Sequence, residues 1–489
     1  MQMVELIAEY GKIFLSIAFF LYVIVVTITI LLDNRPPVVS LAWLVTLFFL
    51  PYFGIIIYIY AGVNWRKKKI MRQLPEDFLQ DNLSKILEEQ MEYLDRIRNS
   101  CDNDLEKCMT LLLGSNHSVI TYRNAIKLYH SGKEFFPRLI RDLERAEHSI
   151  HMQFFIWRSD SLGEQLKELL LQKVREGVEV KLIFDGVGCF FKMSRKYKKA
   201  LRQGGVEYRY FLDPLNPLSG RLVNYRNHRK IIVIDGKIGY TGGMNMAEEY
   251  ISGGKRFESW RDTGIRLEYD AVKMLQVIFL TDWYNSGGAL ALRKEYFPDV
   301  PVPASSPQLT LQIAASGPDS RWHSIKQLIF TMINNANKEV LIQTPYFIPD
   351  ETIMSAMQTA ALSGVKVRLM MTGVPDKRTP LWVAHTYFES LLDAGVEIYQ
   401  YTAGFFHPKV MVVDRRFATA GTCNMDVRSF HLDYEVNLGI FDEEAARELA
   451  DQFSLDMEHC RQLSLEELRD YPAVFRFRDS LLRILAPLL

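Results

Sequence analysis

The sequence lacks the residues that build a disulfide framework or a structural zinc site. Its cysteines are odd in number, scattered over 489 residues and without a C-x-x-C pair: Cys101, Cys108, Cys189, Cys423 and Cys460. Because disulfide scaffolds and zinc sites use paired cysteines at close spacing, this pattern predicts reduced thiols in a cytosolic setting. A chain of this length buries its own cores in two or three domains and needs no covalent staples.

Net charge is absent too, since 58 Lys and Arg residues balance 58 Asp and Glu residues. No overall positive field favours a nucleic acid as the partner, which weakens a nuclease hypothesis. The chain also contains no H-E-x-x-H motif and no P-loop. We therefore expect a site that works without a metal ion or other cofactor.

The chain does have two long uncharged apolar runs near its beginning, at about residues 13–32 and 38–63. Each is long enough to cross a bilayer, which takes roughly 20 apolar residues in a helix. The short polar segment 33–37 between them predicts a two-helix transmembrane hairpin over residues 1–69. A cleaved signal peptide is the alternative, but Glu5 and Glu9 spoil its basic region, and the second run would remain unexplained.

The charges that flank these runs predict the orientation. Four basic residues at 66–69 follow the second run directly, whereas the turn between the runs offers only Arg35. Because basic flanks stay on the cytoplasmic side, the rest of the chain should face the cytoplasm from a multi-pass membrane anchor. Residues 70–112 are charged, with apolar residues at helical spacing, and predict a helical connector.

Beyond residue 112 the chain repeats itself. Residues 177–184 match 364–371, and the segments before and after them also match in order. Each unit predicts strand, helix, strand, helix, strand, so we expect an α/β fold made twice, as tandem domains at 113–300 and 301–489 about a pseudo-twofold axis. Residues 475–489 alternate arginine with large apolar residues and predict a C-terminal amphipathic helix, which either lies on the membrane or packs on the domain.

One nine-residue pattern organises both units. His228-x-Lys230 is followed by four apolar residues and Asp235, and the second unit repeats it at His407, Lys409 and Asp414. The period of a strand puts His and Lys on one face. A single His at a strand entrance is usually structural, but the repetition at the same spacing favours two halves of one active site.

Further polar residues recur at matching places. Asn245 and Asn424 each lie seventeen positions after the motif His, and Asp262 and Glu435 each begin an alternating strand. An amide can donate to an anion, and a carboxylate can orient a histidine across a site. Two His, two Lys and two Asn suit a phosphodiester, since one imidazole can attack phosphorus while the other protonates the leaving alkoxide.

The paired motifs, each followed by Gly-Gly-x-Asn or Gly-Thr-x-Asn, resemble the signature of the phospholipase D superfamily. Within it, the two apolar runs and residues 41–43, 346–350 and 424–430 are similar to the bacterial cardiolipin synthases. The resemblance implies two phospholipase D-like domains. It also implies transfer of a phosphatidyl group from one phosphatidylglycerol to another with release of glycerol. The partners it implies are phosphatidylglycerol, other anionic phospholipids and the membrane, without nucleic acid; an oligomer is left open.

The resemblance also assigns roles. His228 would be the nucleophile, and His407 would act first as general acid and then as general base. The residues implied to hold the phosphate are Lys230, Lys409, Asn245 and Asn424. Asp235 and Asp414 complete the two catalytic motifs and support their strands. The resemblance also implies a location in a bacterial inner membrane.

Two positions depart from the family pattern. Gln153 stands where many relatives carry Glu, and Thr422 replaces a glycine, a change expected to matter little. Three rival functions remain open at this point. They are hydrolysis or another headgroup exchange by the same residues, a membrane scaffold with an inactive fold, and a nuclease.

Overall fold

The computed structural model describes residues 2–32, 37–50, 53–54, 58, 103–116, 118–213, 224–289, 293–303 and 308–484. Helix α1 spans Gln2–Leu32 and helix α2 spans Pro37–Phe49. The two pack against each other through a small buried cluster that includes Val26, Ile30 and Leu47. This packing places the two amino-terminal helices side by side.

Within the described ranges, one helix is long and apolar enough to cross a bilayer, the Glu9–Leu32 part of α1 with a mean hydropathy of 2.8. At 1.5 Å per residue its 24 residues reach about 36 Å, against a hydrocarbon thickness of about 30 Å. Of the second predicted span, Pro37–Phe49 forms helix α2, and its apolar part, Val39–Phe49, is by itself too short to cross. Most of its remainder, and the connector up to residue 102, lie outside the described residues.

The first α/β unit follows helix α3 (Asn103–Asn116) and strand β1 (Ile120–Thr121). Its elements are β2 (Asn124–Ser131), α4 (Gly132–Glu144), β3 (Ser149–Phe154), α5 (Ser161–Arg175), β4 (Glu179–Asp185), α6 (Arg195–Gln203), β5 (Glu207–Phe211), β6 (Arg226–Asn227), β7 (Ile231–Ile234), β8 (Ile238–Gly242), α7 (Glu249–Ser252), β9 (Trp260–Tyr269) and α8 (Asp270–Asn285). A short 3₁₀ turn, Lys294–Tyr296, ends it. In its sheet β3, β4 and β5 run parallel, while β7, β8 and β9 continue antiparallel from β3.

The second unit repeats this plan. Its elements are β10 (Leu311–Ser316), α9 (Ser324–Asn334), β11 (Glu339–Thr344), β12 (Phe347–Ile348), α10 (Glu351–Leu362), β13 (Lys366–Thr372), α11 (Arg378–Asp393), β14 (Glu397–Tyr401), β15 (Phe405–Phe406), β16 (Val410–Val413), β17 (Phe417–Gly421), β18 (Met425–Asp426), α12 (Val427–His431), β19 (Asp433–Ile440), α13 (Glu443–Met457), β20 (Cys460–Gln462), α14 (Leu465–Arg469) and α15 (Ala473–Arg483). Strand β1 pairs with β10 and so belongs to this second sheet. The mixed α/β architecture is confirmed.

The same local signals begin and end the matching helices of the two units. Asp160 caps α5 by accepting from Gly163 N at 3.1 Å, and Asp350 caps α10 by accepting from Ile353 N at 3.1 Å. Just beyond the end of α5, Gly177 has a φ of 93°. Glycine is favoured there because a Cβ penalises the left-handed region. The duplication seen in the sequence is therefore also a duplication of helix boundaries.

The two units exchange short strands at the entrances to their motifs. β6, which precedes His228, pairs in parallel with β19 of the second unit, and β15, which precedes His407, pairs in parallel with β9 of the first. One hydrophobic core lies between the units and contains residues of both sheets together with α8 and α13. The exchange brings the start of each motif to the other unit's sheet.

Candidate active site

The two motif histidines occupy equivalent places at this exchange. The backbone N–H of His228 donates to Tyr434 O at 2.9 Å, and that of His407 donates to Arg261 O at 2.8 Å. Both acceptors lie on the partner strand, β19 or β9. The next residue along each of these strands is the carboxylate expected from the sequence, Glu435 or Asp262.

Each histidine is bound by the carboxylate of the other unit. His228 Nδ1 lies 2.9 and 3.1 Å from the two Glu435 carboxylate oxygens, and His407 Nδ1 lies 2.7 Å from Asp262 Oδ2. Both carboxylates are fully buried. A carboxylate that accepts from Nδ1–H fixes the tautomer with the ring proton on Nδ1, which leaves the Nε2 lone pair for chemistry.

The two motif lysines lie beside the histidines and are also buried. Lys230 Nζ donates to His228 O at 2.8 Å, and Lys409 Nζ donates to His407 O at 2.6 Å. Burial lowers the pKa of Lys230 to about 7 and that of Lys409 to about 8. Charged residues of the other unit also contribute to the pKa of each ammonium. Two ammonium groups in one buried space favour an anion that neutralises both.

Burial also sets the charge of the other site residues. It lowers the pKa of His407 to about 4 and that of His228 well below the usual histidine value, with the nearby lysines acting in the same direction. Burial raises the pKa of Glu435 to about 7. The free site thus holds neutral imidazoles near neutral pH, the form that a histidine nucleophile requires.

The two motif asparagines differ in their surroundings. Asn245 Oδ1 accepts from Ile156 N at 3.0 Å, and its Nδ2 donates to the Tyr250 hydroxyl at 2.5 Å. Asn424 Oδ1 is buried and has no hydrogen-bond partner among the described residues. A buried unpaired acceptor is rare in proteins, so Asn424 has an unused hydrogen-bonding capacity at the site.

Thr422, expected to matter little, contacts the catalytic machinery. Its hydroxyl donates a short hydrogen bond to Glu435 Oε2, the carboxylate that binds His228. The matching residue of the first unit is Gly243, where a Cβ would lie 2.0 Å from Asp262 Oδ1. The repeat itself contains a sign of this role: the two units have different residues at one equivalent motif position, glycine in the first unit and threonine in the second.

We expect Thr422→Ala to lower turnover by about tenfold or more, because a hydrogen bond to a charged group contributes about 1.5–3 kcal/mol. The hydroxyl lowers the pKa of Glu435, so its loss should move the acid limb of the pH–rate profile to higher pH. Thr422→Ser keeps the hydroxyl and is the matched control. Equal profiles for the alanine and serine variants would show that the hydroxyl has no role.

The structure places Asp235 and Asp414 away from the chemistry. Asp235 accepts from three backbone N–H groups at the start of β3, at 2.7 to 2.9 Å. Asp414 accepts from the three N–H groups that begin β11, at 2.7 to 2.9 Å. Each is seven residues beyond its motif histidine, about 20 Å of extended chain. We therefore propose that both residues stabilise the motif strands, the support that the resemblance implies, and that neither takes a direct part in the reaction.

Asp414→Ala should lower the free energy of unfolding by about 1–2 kcal/mol, because three backbone donors lose their acceptor and water can replace it only at the two exposed ones. The backbone at this residue has φ of 52°, which alanine disfavours and asparagine tolerates. Asp414→Asn should therefore be less destabilising. Unfolding in denaturant checks this, and turnover per folded molecule should stay unchanged. A variant of full stability with lost turnover would contradict the structural role.

Two ion-paired networks lie behind the histidines. Gln153 Nε2 donates to Asp282 at 2.6 Å, and Asp282 also pairs with Arg229 at 2.7 Å. In the second unit Gln343 donates to Asp456 at 2.8 Å, and Asp456 pairs with Arg261 at 2.8 Å. Gln153 is thus a donor that holds a buried aspartate, a role that a carboxylate at this position would not fill.

The arrangement suits transfer of a phosphoryl-linked group. Two neutral imidazoles, each oriented by a buried carboxylate, can serve as nucleophile and proton carrier around one phosphorus atom. The two lysines supply positive charge where phosphate oxygens would lie. In the described ranges no three His, Cys, Asp or Glu side chains form a cluster that could hold a metal ion.

The family model described as "Cardiolipin synthase, PLD-like domain" matches residues 139–283 and 329–457, more than half of the chain. A second, "Phospholipase_D-nuclease N-terminal", matches residues 18–62. The solved structure of a phosphatidylserine synthase from Haemophilus influenzae aligns with a TM-score of 0.59 at 14% identity, over 78% of this chain and 100% of that one. At that identity it shows the fold alone. The chain belongs to the phospholipase D superfamily.

Full-length relatives narrow the family. The chain is 39% identical to a cardiolipin synthase of Halalkalibacterium halodurans, over 97% of this chain and 93% of that protein. It is 37% identical to the major cardiolipin synthase of Bacillus subtilis, over 98% and 99% of the two chains. Within the superfamily the chain therefore belongs to the cardiolipin synthase family.

Proposed function

We propose that this chain transfers a phosphatidyl group from one phosphatidylglycerol to a second, giving cardiolipin and glycerol through a phosphohistidine intermediate. The observation that carries the proposal is the crossed pair of histidines, each bound at Nδ1 by a carboxylate of the other unit. The family supports the same chemistry. Phosphatidylglycerol and other anionic phospholipids are the substrate class that follows.

In the first step His228 Nε2 attacks phosphorus, and the bond from phosphorus to the headgroup glycerol oxygen breaks. His407 gives its proton to that oxygen, so glycerol leaves neutral. The pKa of His407 is low in the free site, but a bound phosphodiester anion favours the protonated imidazole. Lys230 and Lys409 stabilise the charge on the nonbridging oxygens in the transition state.

In the second step a headgroup hydroxyl of another phosphatidylglycerol attacks the phosphohistidine. His407, now neutral, removes the proton from that hydroxyl, and the bond from phosphorus to His228 Nε2 breaks. Cardiolipin is released with both histidines in their starting forms. Water in place of the hydroxyl would give phosphatidic acid, so the identity of the acceptor alone separates a synthase from a hydrolase.

Labelled phosphatidylglycerol supplied in vesicles tests the function, with the products resolved by chromatography. Cardiolipin and glycerol in equal amounts are the expected products. Phosphatidic acid as the main product would mean a hydrolase, and no turnover would support an inactive scaffold. Either of those results would overturn the proposal.

We also propose the finer layout of the chain: a two-span hairpin over residues 1–69, a helical connector at 70–112 and domains at 113–300 and 301–489 about a pseudo-twofold axis. Both catalytic units would face the cytoplasm. The long apolar helix of α1 and the basic run at 66–69 support this. A membrane-impermeant thiol reagent should label a cysteine placed at Lys68 only in inverted vesicles. Labelling in intact spheroplasts would reverse the orientation.

The lysine pKa values predict an alkaline limb for substrate binding. Lys230 and Lys409, with pKa values of about 7 and about 8 in the free site, carry positive charge only below those values. We therefore expect the KM for phosphatidylglycerol to rise as the pH increases above about 8, because the anion loses its charged partners. Initial rates measured across this range check the prediction. A KM that stays flat to about pH 10 would contradict it.

A further inference from the structure

The C-terminal helix α15 is fixed to the second unit by one of its faces. Asp479 is 1% exposed and Leu482 packs against the core of that unit. The Arg478 guanidinium lies 4.0 Å from the centre of the Trp382 ring, and Arg483 lies 4.3 Å from that of Tyr387. Both rings belong to α11, so α15 is an ordered helix on the surface of the domain.

The opposite face of α15 carries a second apolar stripe that faces outward. Val474, Phe477, Leu481 and Ile484 are 76%, 72%, 55% and 73% exposed. Their spacing of three, four and three residues puts them on one side of the helix. A surface helix normally turns such a stripe to the core, and an exposed apolar stripe marks an interaction site. We call these four residues the outer stripe.

The charged side chains that α15 itself exposes are positive. Arg476 and Arg483 are exposed, whereas Arg478 is bonded at 2.8 Å to the single acid of the helix, Asp479, which is buried. An exposed apolar stripe on a helix that also exposes two arginines complements a bilayer with anionic headgroups, into which such a helix inserts its apolar side. A second copy of the chain would bring the same positive charges together, which disfavours that occupant.

The loop before helix α11 also has exposed residues. Helix α11, on which α15 lies, begins directly after a loop in which Val374 and Lys377 are exposed. Asp376 of this loop accepts from the Tyr346 hydroxyl at 2.8 Å. The matching loop of the first unit, after β4, carries Phe191 at 89% exposure.

These two loops lie near each other and near a histidine. Burial lowers the pKa of Lys192, the residue after Phe191, and the nearby positive charge of Lys377 acts in the same direction. The first-unit loop packs closely on Phe155. The backbones approach so closely there that a Cβ added at Gly188 would lie only 2.1 Å from Phe155 O. The Phe155 ring centre lies 5.0 Å from that of His228. Exposed Phe191 and the two lysines therefore lie near the site, on loops that follow matching strands of the two units.

We propose that the outer stripe of α15 docks on the surface of an anionic phospholipid bilayer and holds the active-site entrance against the lipid. This attachment is separate from the amino-terminal span. It rests on the proposed function only in that lipid turnover is one of its readouts. Because the substrate remains embedded in the bilayer, loss of the attachment should raise KM for vesicle substrate without changing the chemistry.

Leu481→Glu and Leu455→Glu form a matched pair, because the two leucines are 55% and 56% exposed. Leu455 lies on α13, which packs on the face of the second sheet opposite to α11. With phosphatidylglycerol in vesicles, we expect Leu481→Glu to raise KM about tenfold, equivalent to about 1.4 kcal/mol. With short-chain phosphatidylglycerol dispersed as monomers, both variants should match the unaltered chain.

Equal vesicle KM values for the two variants would overturn the docking proposal. Loss of turnover by Leu481→Glu on the monomeric substrate would do the same, since it would show that Leu481 supports the fold rather than attachment to the bilayer. Failure of the unaltered chain to form cardiolipin from either substrate would instead overturn the proposed function, so the two failures are distinguishable.

A direct measurement uses Leu481→Cys and Leu455→Cys, each labelled with an environment-sensitive fluorophore in the reconstituted full chain. Lipids with a shallow spin label should quench the probe at 481 and not the probe at 455. The unsubstituted chain, labelled in parallel, gives the background from native cysteines. A probe at 481 that is unquenched by lipid but shielded in a concentration-dependent dimer would overturn the proposal in favour of a second copy.

Discussion

His228→Ala should abolish formation of a phosphoenzyme from phosphatidylglycerol and lower turnover by about 10⁴-fold or more, because no other group then attacks phosphorus. His407→Ala should lower turnover similarly with the natural substrate. With an activated leaving group that needs no proton, however, the His407→Ala variant should still form the phosphoenzyme and accumulate it. Rapid quenching with labelled substrate, followed by analysis of the acid-labile label, checks both results.

His148→Ala is the control, since its exposed side chain lies at the start of β3, outside the site. It should keep full turnover. If His228→Ala accumulates the phosphoenzyme and His407→Ala forms none, the two roles are exchanged. The crossed geometry is nearly the same for both histidines, so this experiment decides the order of their roles.

The second large effect should follow removal of the orienting carboxylates. Glu435→Gln and Asp262→Asn keep the shape of each side chain but can stabilise the wrong histidine tautomer, an effect of about 10⁴-fold in a serine protease triad. Because Glu435 binds His228, Glu435→Gln should slow phosphoenzyme formation with every leaving group. Because Asp262 binds His407, Asp262→Asn should recover phosphoenzyme formation when the leaving group is activated.

Asp451→Asn, whose side chain is 70% exposed, is the matched control and should have unchanged turnover. The distinction between the two carboxylate variants depends on the crossing of the units. The opposite pattern is a loss of phosphoenzyme formation in Asp262→Asn and its recovery with an activated leaving group in Glu435→Gln. That result would mean that His407 is the nucleophile and His228 the general acid.

Two residues show what distance along the chain leaves out. The sequence gives Thr422 little weight because the family tolerates it in place of glycine, yet its hydroxyl binds Glu435, thirteen residues away on β19. Asp235 stands close to His228 in the motif. A strand, however, separates its two ends by its full length, so motif members at opposite ends do not meet.

The apolar run at 38–63 forms helix α2 in its first half. Most of the residues beyond α2 lie outside the described ranges. The complete second span, which composition and length indicate, therefore stays a prediction.

The sequence by itself determined the duplicated α/β units, the residues of both motifs and the type of chemistry they suit. Hydrophobic period, helix caps and repeated spacing are local properties, and two copies made them recognisable. Only the tertiary structure decided which carboxylate serves which histidine. That pairing arises because β6 and β15 each leave their own sheet and join the other unit, a long-range strand pairing that no local pattern specifies.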